Sequence, residues 1–316
     1  MINTLTTRPP TEQEWARWWP APAKLNLFLH ILGQRDDGLH ELETVFQILD
    51  LSDMLKFEVR DDGQILRTEG DPDIAPEGDL VVKAAKALQA FVHAQAVNSE
   101  NCSASKGISI RCRKRIPVEA GMGGGSSDAA TTLLVLNHLW QCGLSQEQLE
   151  KLALGLGADV PLFVAGNSAY ARGIGEKLEP LSLGEYTYVI VKPRVSVSTQ
   201  KIFSHSGLTR DTDPITIHRF LRQYKDTRGA LAGRNDCQKV VVNSFPEIAQ
   251  VIDWLDNFGE ARLTGTGSAV FLRCSDKSTA KAIMDQLNLS TAAQKWQLML
   301  AQGLDRSPLA TIFDQS

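Results

Sequence analysis

The residues best placed to do chemistry stand in one run, Pro117-Val-Glu-Ala-Gly-Met-Gly-Gly-Gly-Ser-Ser-Asp128, followed by Ala129-Ala-Thr-Thr-Leu-Leu-Val-Leu-Asn-His-Leu-Trp140. Glycine at 121, 123, 124 and 125 leaves this loop almost no side chains to pack. What it gains is a backbone that can take positive φ and bring N–H groups against a ligand, at an entropic cost on folding. Ser126, Ser127 and Asp128 are N-cap types, and Leu133, Leu136 and Trp140 recur behind them at helical spacing. A glycine loop that ends at a helix N-terminus gathers free N–H groups and the positive end of the helix dipole at one point, which is the chemistry of an anion site. The competing reading is a flexible surface turn. A turn needs neither four glycines in five positions nor a helix behind them.

Two charged residues elsewhere invite the same question. Lys24 and Asn26 share one face of an alternating run, with Leu25, Leu27, Leu29 and Ile31 on the other face. Asp159 stands in the apolar stretch Leu156-Gly-Ala-Asp-Val-Pro-Leu-Phe163, where a carboxylate is costly to bury without a partner or a purpose. Taken singly, Lys24 also reads as a solvent-facing strand residue and Asp159 as an N-cap or turn carboxylate ahead of Val160-Pro161.

The elements that position these groups follow from periodicity. A strand is expected from Ala23, a turn over Gly33-Gln-Arg-Asp-Asp-Gly38, a second strand over Leu39–Leu49 and another over Met54–Val59. Leu80–Phe91 has helical periodicity, and Gly107–Ile116 alternates as a strand leading into the glycine loop. Ser145-Gln-Glu-Gln148 is a capping box that opens a helix through Leu156. A strand over Tyr186–Lys192, a helix over Val240–Asp256, a strand after Thr264-Gly-Thr-Gly-Ser268 and a helix over Ser278–Leu287 complete the pattern, with Asp211–Gly233 polar and unassigned. Strands and helices mix without regular alternation, which predicts an α+β fold.

Composition narrows the function classes. The chain has 316 residues, 43% hydrophobic, enough for a sizeable core and for two domains. A net charge of -4 without a basic tract argues against nucleic acid as a partner. Five scattered cysteines without a C-x-x-C, and histidines without H-x-x-x-H spacing, predict neither a disulfide framework nor a metal site built by the protein. Met1–Trp19 lacks the apolar core of a signal peptide, and no segment has the length of a membrane span, so a cytoplasmic protein without membrane partners is expected.

The familiar glycine signatures fail. G-x-x-x-x-G-K-[ST] does not occur, a dinucleotide fingerprint from Gly121 would need glycine where Ser126 stands, and H-R-D and D-F-G are missing. Three segments, Pro22-Ala-Lys-Leu-Asn26, the loop Gly121–Asp128 and Thr264-Gly-Thr-Gly-Ser268, together resemble the three motifs of the GHMP kinases, the superfamily of galactokinase, homoserine kinase and mevalonate kinase. Ala23–Leu29, Gln34-Arg-Asp-Asp-Gly-Leu-His40, Gly157-Ala-Asp-Val-Pro161, Asn235-Asp-Cys237 and Arg262-Leu-Thr-Gly-Thr-Gly267 are similar to its branch that phosphorylates a cytidine-diphosphate-linked methylerythritol on the non-mevalonate route to isoprenoids. The resemblance runs from about Trp19 into the C-terminal region.

That resemblance implies a two-domain fold, with a ribosomal-protein-S5-like ATP-binding domain over residues 1–170 and a ferredoxin-like domain over 171–316. It implies ATP and Mg²⁺ as cofactors, Asp159 as catalytic base and Lys24 as charge stabiliser. Around ATP it puts Lys114, Pro117, Val118, Glu119, Ala120, Gly121, Met122, Gly123, Gly124, Gly125, Ser126 and Ser127. Around the small-molecule substrate it puts Asn26, His40, Thr199, Phe203, Gly265 and Gly267, with His40 reading the cytosine edge and Phe203 stacking on the base. The chain departs from the family where Leu39 replaces a usual tyrosine and Asp79 a common asparagine near adenine. Another alcohol acceptor, or a nucleotide sensor without catalysis, are the competing functions.

Overall fold

In the computed structural model, residues 9–94, 102–104, 106–226, 231–290 and 292–314 are described; the first eight residues of the N-terminal segment and positions 227–230 of the unassigned polar region lie outside them. Ten strands form one sheet: β1 (Trp19–Gln34), β2 (His40–Arg60), β3 (Ile65–Glu69), β4 (Gly107–Arg113), β5 (Ala169–Gly173), β6 (Lys177–Pro180), β7 (Thr187–Pro193), β8 (Ala261–Leu263), β9 (Val270–Cys274) and β10 (Trp296–Leu304). The order is β3-β4-β2-β10-β7-β9-β8, with β1 and β5 also on β2 and β6 on β5. All pairings are antiparallel except β3 with β4. The α+β expectation holds. In the second half, β7, four helices among the described residues between 199 and 255, β8, β9, the helix Lys277–Leu289 and β10 follow one another, and the spatial order of the strands, β10-β7-β9-β8, is the ferredoxin-like arrangement. The expected boundary between residues 170 and 171 falls within β5.

Several elements differ from expectation. Leu39–Leu49 and Met54–Val59 are not two strands but one, β2, of 21 residues. The strand continues through residues 50–53, where Asp53 is fully buried and bonded: its Oδ1 accepts from Arg115 N–H at 2.5 Å and Ile116 N–H at 2.8 Å, and its Oδ2 from Lys114. Val240–Asp256 divides into two helices, Gln238–Ser244 and Pro246–Leu255, because Pro246 has no N–H to continue the first. The β1 strand is buried on both faces from Trp19 to Ile31, not half-buried. Its second edge is covered by the later chain: Arg262 donates to Leu27 O at 2.7 Å, Leu29 N–H to Arg234 O at 2.9 Å, and Ile31 N–H to Asp236 Oδ2 at 2.8 Å.

Trp19, Leu88, Leu133 and Trp140 belong to the core under the first half, and Val191, Val241, Ile248 and Leu272 to the core under the second. The helix Leu80–Ala94 and the Ser145 capping box of the helix Gln146–Leu156 are present as expected. Among the described residues no helix is long and apolar enough to cross a membrane.

Candidate active site

The glycine loop is fastened to the second half of the chain and to β1 before it reaches its helix. Ser268 N–H donates to Glu119 O at 3.2 Å, Ala269 N–H to Ala120 O at 3.1 Å, and Lys24 N–H to Met122 O at 3.0 Å. The approach is so close at Gly121 (φ 74°) that a Cβ there would lie 2.2 Å from Thr264 O, so only glycine fits. Asn235 holds the opposing turn by donating from Nδ2 to Leu263 O and Gly265 O, both at 2.8 Å.

The helix then begins at Gly124 with Gly123 as its N-cap, in the left-handed region (φ 73°) and with no side-chain cap. Ser126, Ser127 and Asp128 therefore sit inside the helix rather than at its cap, because glycine takes the left-handed conformation that would strain a serine. The N–H groups of Gly124, Gly125 and Ser126 consequently have no intrahelical acceptor. Gly125 is exposed, and a Cβ on it would meet only Leu80 Cδ1 at an ordinary 3.6 Å. Folding gives no reason for glycine there, whereas close approach of a ligand does. That cradle suits a phosphate, and with it the triphosphate of ATP.

A cavity of about 630 Å³ opens beside this cradle. Gly121, Gly123, Ser126, Lys24, Asn26, Asp159, His40, Thr199, Phe203 and Gly265 all line it. Lys24 is only 3% exposed, which removes the solvent-facing reading. Its Nζ donates to Asn26 Oδ1 at 2.5 Å and lies 3.4 Å from Asp159 Oδ2. Asn26 is in turn fixed by Thr44 Oγ1, which accepts from its Nδ2 at 2.9 Å, and by Thr264 Oγ1, which accepts from its N–H at 3.0 Å. Asp159 holds the N-cap position of the helix Val160–Ala165 but caps no N–H, and its side chain is 34% exposed. A carboxylate freed from capping, beside a buried ammonium and open to a cavity, is equipped to accept a proton from a bound alcohol.

At the far end of the cavity the rings of His40 and Phe203 stack, centroids 5.1 Å apart and planes at 29°. Leu39 lines the same end and is 48% exposed. Thr199 is tied to the second-half turn through Thr266, Oγ1 to Oγ1 at 2.9 Å.

Other residues implied for ATP have different surroundings. Pro117, Val118, Glu119, Ala120, Met122, Gly124, Gly125 and Ser127 do not line this cavity, nor does Gly267 on the substrate side. Ser127 is fully buried with its Oγ unpartnered, so Ser126 is the loop hydroxyl that faces the cavity. Lys114 is also outside, its ammonium bridging Asp53 and Asp128, the latter at 2.6 Å. Burial alone would lower the Lys114 pKa, but the two carboxylates raise it well above the ordinary lysine value. Asp79 accepts from Arg67 at 2.6 Å and from Val81 N–H at 3.1 Å, serving the start of the helix Leu80–Ala94.

Sequence reading missed Thr44, Gln200 and Ser204, all on the cavity wall, and Arg210 behind His40. No local pattern marks them: Thr44 gains its place through Asn26 and Arg210 through His40, while Gln200 and Ser204 reach the wall on the short helix that carries Phe203 and at its C-cap.

Comparison with known proteins shows the family. Residues 79–167 match the GHMP kinases N terminal domain and residues 219–291 the GHMP kinases C terminal. The chain is 46% identical over 295 residues to the 4-diphosphocytidyl-2-C-methyl-D-erythritol kinase of Azoarcus sp. (strain BH72), covering 93% of this chain and 96% of that protein. The protein of the same name from Nitrosococcus oceani is 45% identical over 298 residues, covering 94% and 98%. A crystal structure of 4-(cytidine 5'-diphospho)-2C-methyl-D-erythritol kinase superposes with a TM-score of 0.75 at 28% identity, over 91% of this chain and 99% of that one. With a near-full-length match in sequence and in fold, the chain belongs to the 4-diphosphocytidyl-2-C-methyl-D-erythritol kinase family of the GHMP kinases.

Proposed function

We propose that this chain transfers the γ-phosphoryl group of ATP to the 2-hydroxyl of 4-diphosphocytidyl-2-C-methyl-D-erythritol, a step of the non-mevalonate route to isoprenoid precursors. The observation that carries the reading is the shared cavity. Gly123 and Ser126 of an uncapped helix N-terminus, the Lys24–Asp159 pair and the His40–Phe203 rings open on one space. An anion site, a proton acceptor beside a cation and a flat-ring site suit a triphosphate, an alcohol and a nucleobase.

In this reading the N–H groups of Gly124, Gly125 and Ser126 hold phosphate oxygens, and the glycine loop gives the backbone its close approach. Asn26 and Thr199 orient the alcohol end of the substrate. Asp159 takes the hydroxyl proton as the new O–P bond forms and the bond from the γ-phosphorus to the bridging oxygen breaks, releasing ADP. Lys24 offsets the charge spread over the transferring group. Magnesium bound with ATP would neutralise charge on the phosphates, and Ser126 and Asp159, among the oxygen donors that line the cavity, would hold it.

The test is ADP release with Mg-ATP and a panel of alcohols comprising the cytidine compound, mevalonate, homoserine and galactose. Turnover with the cytidine compound alone is expected. Turnover only with another alcohol, or nucleotide binding without any turnover, would overturn the assignment.

A further inference from the structure

Arg210 belongs to none of the recognised motifs, yet its guanidinium makes four hydrogen bonds. Nη2 donates to Phe203 O at 2.8 Å and His205 O at 3.0 Å, and Nη1 to Leu208 O at 3.2 Å. These three fold the chain around the end of the helix Thr199–Phe203, which carries the stacking ring. The fourth runs from Nε–H to His40 Nε2 at 3.1 Å and bears on chemistry.

A guanidinium has donors only, so the imidazole nitrogen facing it has to present its lone pair. In a neutral ring the proton is then on Nδ1; a proton on Nε2 would set N–H against N–H. Burial first, and the Arg210 charge second, pull the His40 pKa below the ordinary histidine value, which keeps the ring neutral. No other hydrogen bond to this ring occurs among the described residues, so Nδ1–H remains for a ligand in the cavity that His40 lines.

We propose that Arg210 is a positioning residue that selects cytosine over uracil, by holding His40 in the Nδ1–H tautomer. The proposal rests on the cytidine reading above. Cytosine N3 is an acceptor flanked by the O2 acceptor, whereas uracil carries a donor, N3–H. A fixed Nδ1–H donor pairs with the cytosine edge and opposes N3–H of uracil. An imidazole free to exchange tautomers can turn a lone pair toward uracil instead, and the discrimination is lost. The Phe203 ring, stacked on His40, restrains the plane of the imidazole; the guanidinium sets where its proton sits.

Long-range proton–nitrogen NMR on the histidine-labelled full chain reads the tautomer directly, with His40→Gln identifying the signal. His40 is expected as Nδ1–H in the unsubstituted protein and as a mixture, or as Nε2–H, in Arg210→Ala. The ratio of kcat/KM for the cytidine substrate to that for its uridine counterpart should fall ~10-fold or more in Arg210→Ala, chiefly through KM. Because that change also loosens the chain near Phe203, the same substitution is made in a His40→Gln background, where the ratio should not move further. An Nε2–H ring in the unsubstituted protein, an unchanged ratio in Arg210→Ala, or an equal fall without His40 would each overturn the proposal. Failure of the unsubstituted protein to use the cytidine compound is a different result: it removes the cytidine reading, and base selection with it, even where NMR finds the Nδ1–H ring.

Discussion

Lys24 Nζ lies 2.5 Å from Asn26 Oδ1 and 3.4 Å from Asp159 Oδ2, so one buried ammonium touches both a substrate-side amide and the proposed base. The two charges are unequally placed: the lysine side chain is 4% exposed and the carboxylate 34%. The cation is part of the wall, while the carboxylate remains within reach of a bound alcohol. Asp159→Asn keeps the shape and removes the proton acceptor. It should lower kcat by ~10²–10⁴ while the thermal melt stays close to the parent's. Normal turnover in the folded variant would rule out general-base transfer by this residue.

Lys24 is best tested by methionine, because its stem packs in the wall with the ammonium 5.2 Å from the Phe46 ring centroid. Lys24→Met keeps apolar bulk and deletes the charge. Its kcat should fall by ~10²–10³, as expected when a group stabilising transition-state charge is lost. A fall in stability with kcat retained would mark Lys24 as a structural residue only.

Gly125 separates the needs of folding from those of the ligand. A Cβ there has room, meeting Leu80 Cδ1 at 3.6 Å, and the residue is in the first turn of a helix. Gly125→Ala should therefore stabilise the protein by ~0.4–1 kcal/mol through the unfolded state and helix propensity. If phosphate lies against the backbone at this point, the same methyl group raises KM for ATP. The informative result is the combination of a higher melting temperature and weaker ATP binding. Unchanged ATP kinetics would move the phosphate site elsewhere.

Much of this architecture could be read from residues, and the misses share a cause. Ser145 and Gln148 announced their helix because a capping box is local, and Pro246 carries the break that divides its helical run. Gly121 and Gly123 announced a loop needing positive φ, which both adopt. The cap itself was misplaced onto Ser126–Asp128 because a glycine cap leaves no side-chain signature. The expected strands Leu39–Leu49 and Met54–Val59 join into one because Asp53 between them is held in mid-strand by Lys114, Arg115 and Ile116, about sixty residues on. Lys24 looked half-exposed since alternation reports the pleat and not what later covers its second face. Thr44 and Arg210 carry no local signal; the first works through Asn26 and Phe28 on the neighbouring strand and the second through His40.

Leu39 lines the cavity together with His40 and Phe203. The residue is 48% exposed, open to a bound base. An aromatic ring there could stack on a base, which is worth ~1–3 kcal/mol. Leu39→Tyr should lower KM for the cytidine substrate by ~5-fold or more and leave KM for ATP unaltered. An unchanged substrate KM would show that the leucine contact already suffices.

Asp128 should make stability depend on pH. It is buried beneath the glycine loop, its Oδ1 accepts no hydrogen bond, and it shares the Lys114 ammonium with Asp53, so two carboxylates face one cation. Desolvation is the largest influence and lifts its pKa well above the ordinary carboxylate range, with Lys114 opposing and Asp53 adding to the rise. A folded-state pKa above the unfolded one means that the native state holds this proton more tightly. The associated stability is present in acid below the unfolded pKa of ~4 and is lost as pH rises through the folded value. Asp128→Asn deletes the titration and can still accept from Lys114 Nζ. The melting temperature of the variant relative to the parent should therefore climb between about pH 4 and pH 7 and level off above, where Asp128 is ionised in both states. A constant offset over that range would mean that Asp128 is already ionised at pH 5, and that Lys114 outweighs the cost of burying it.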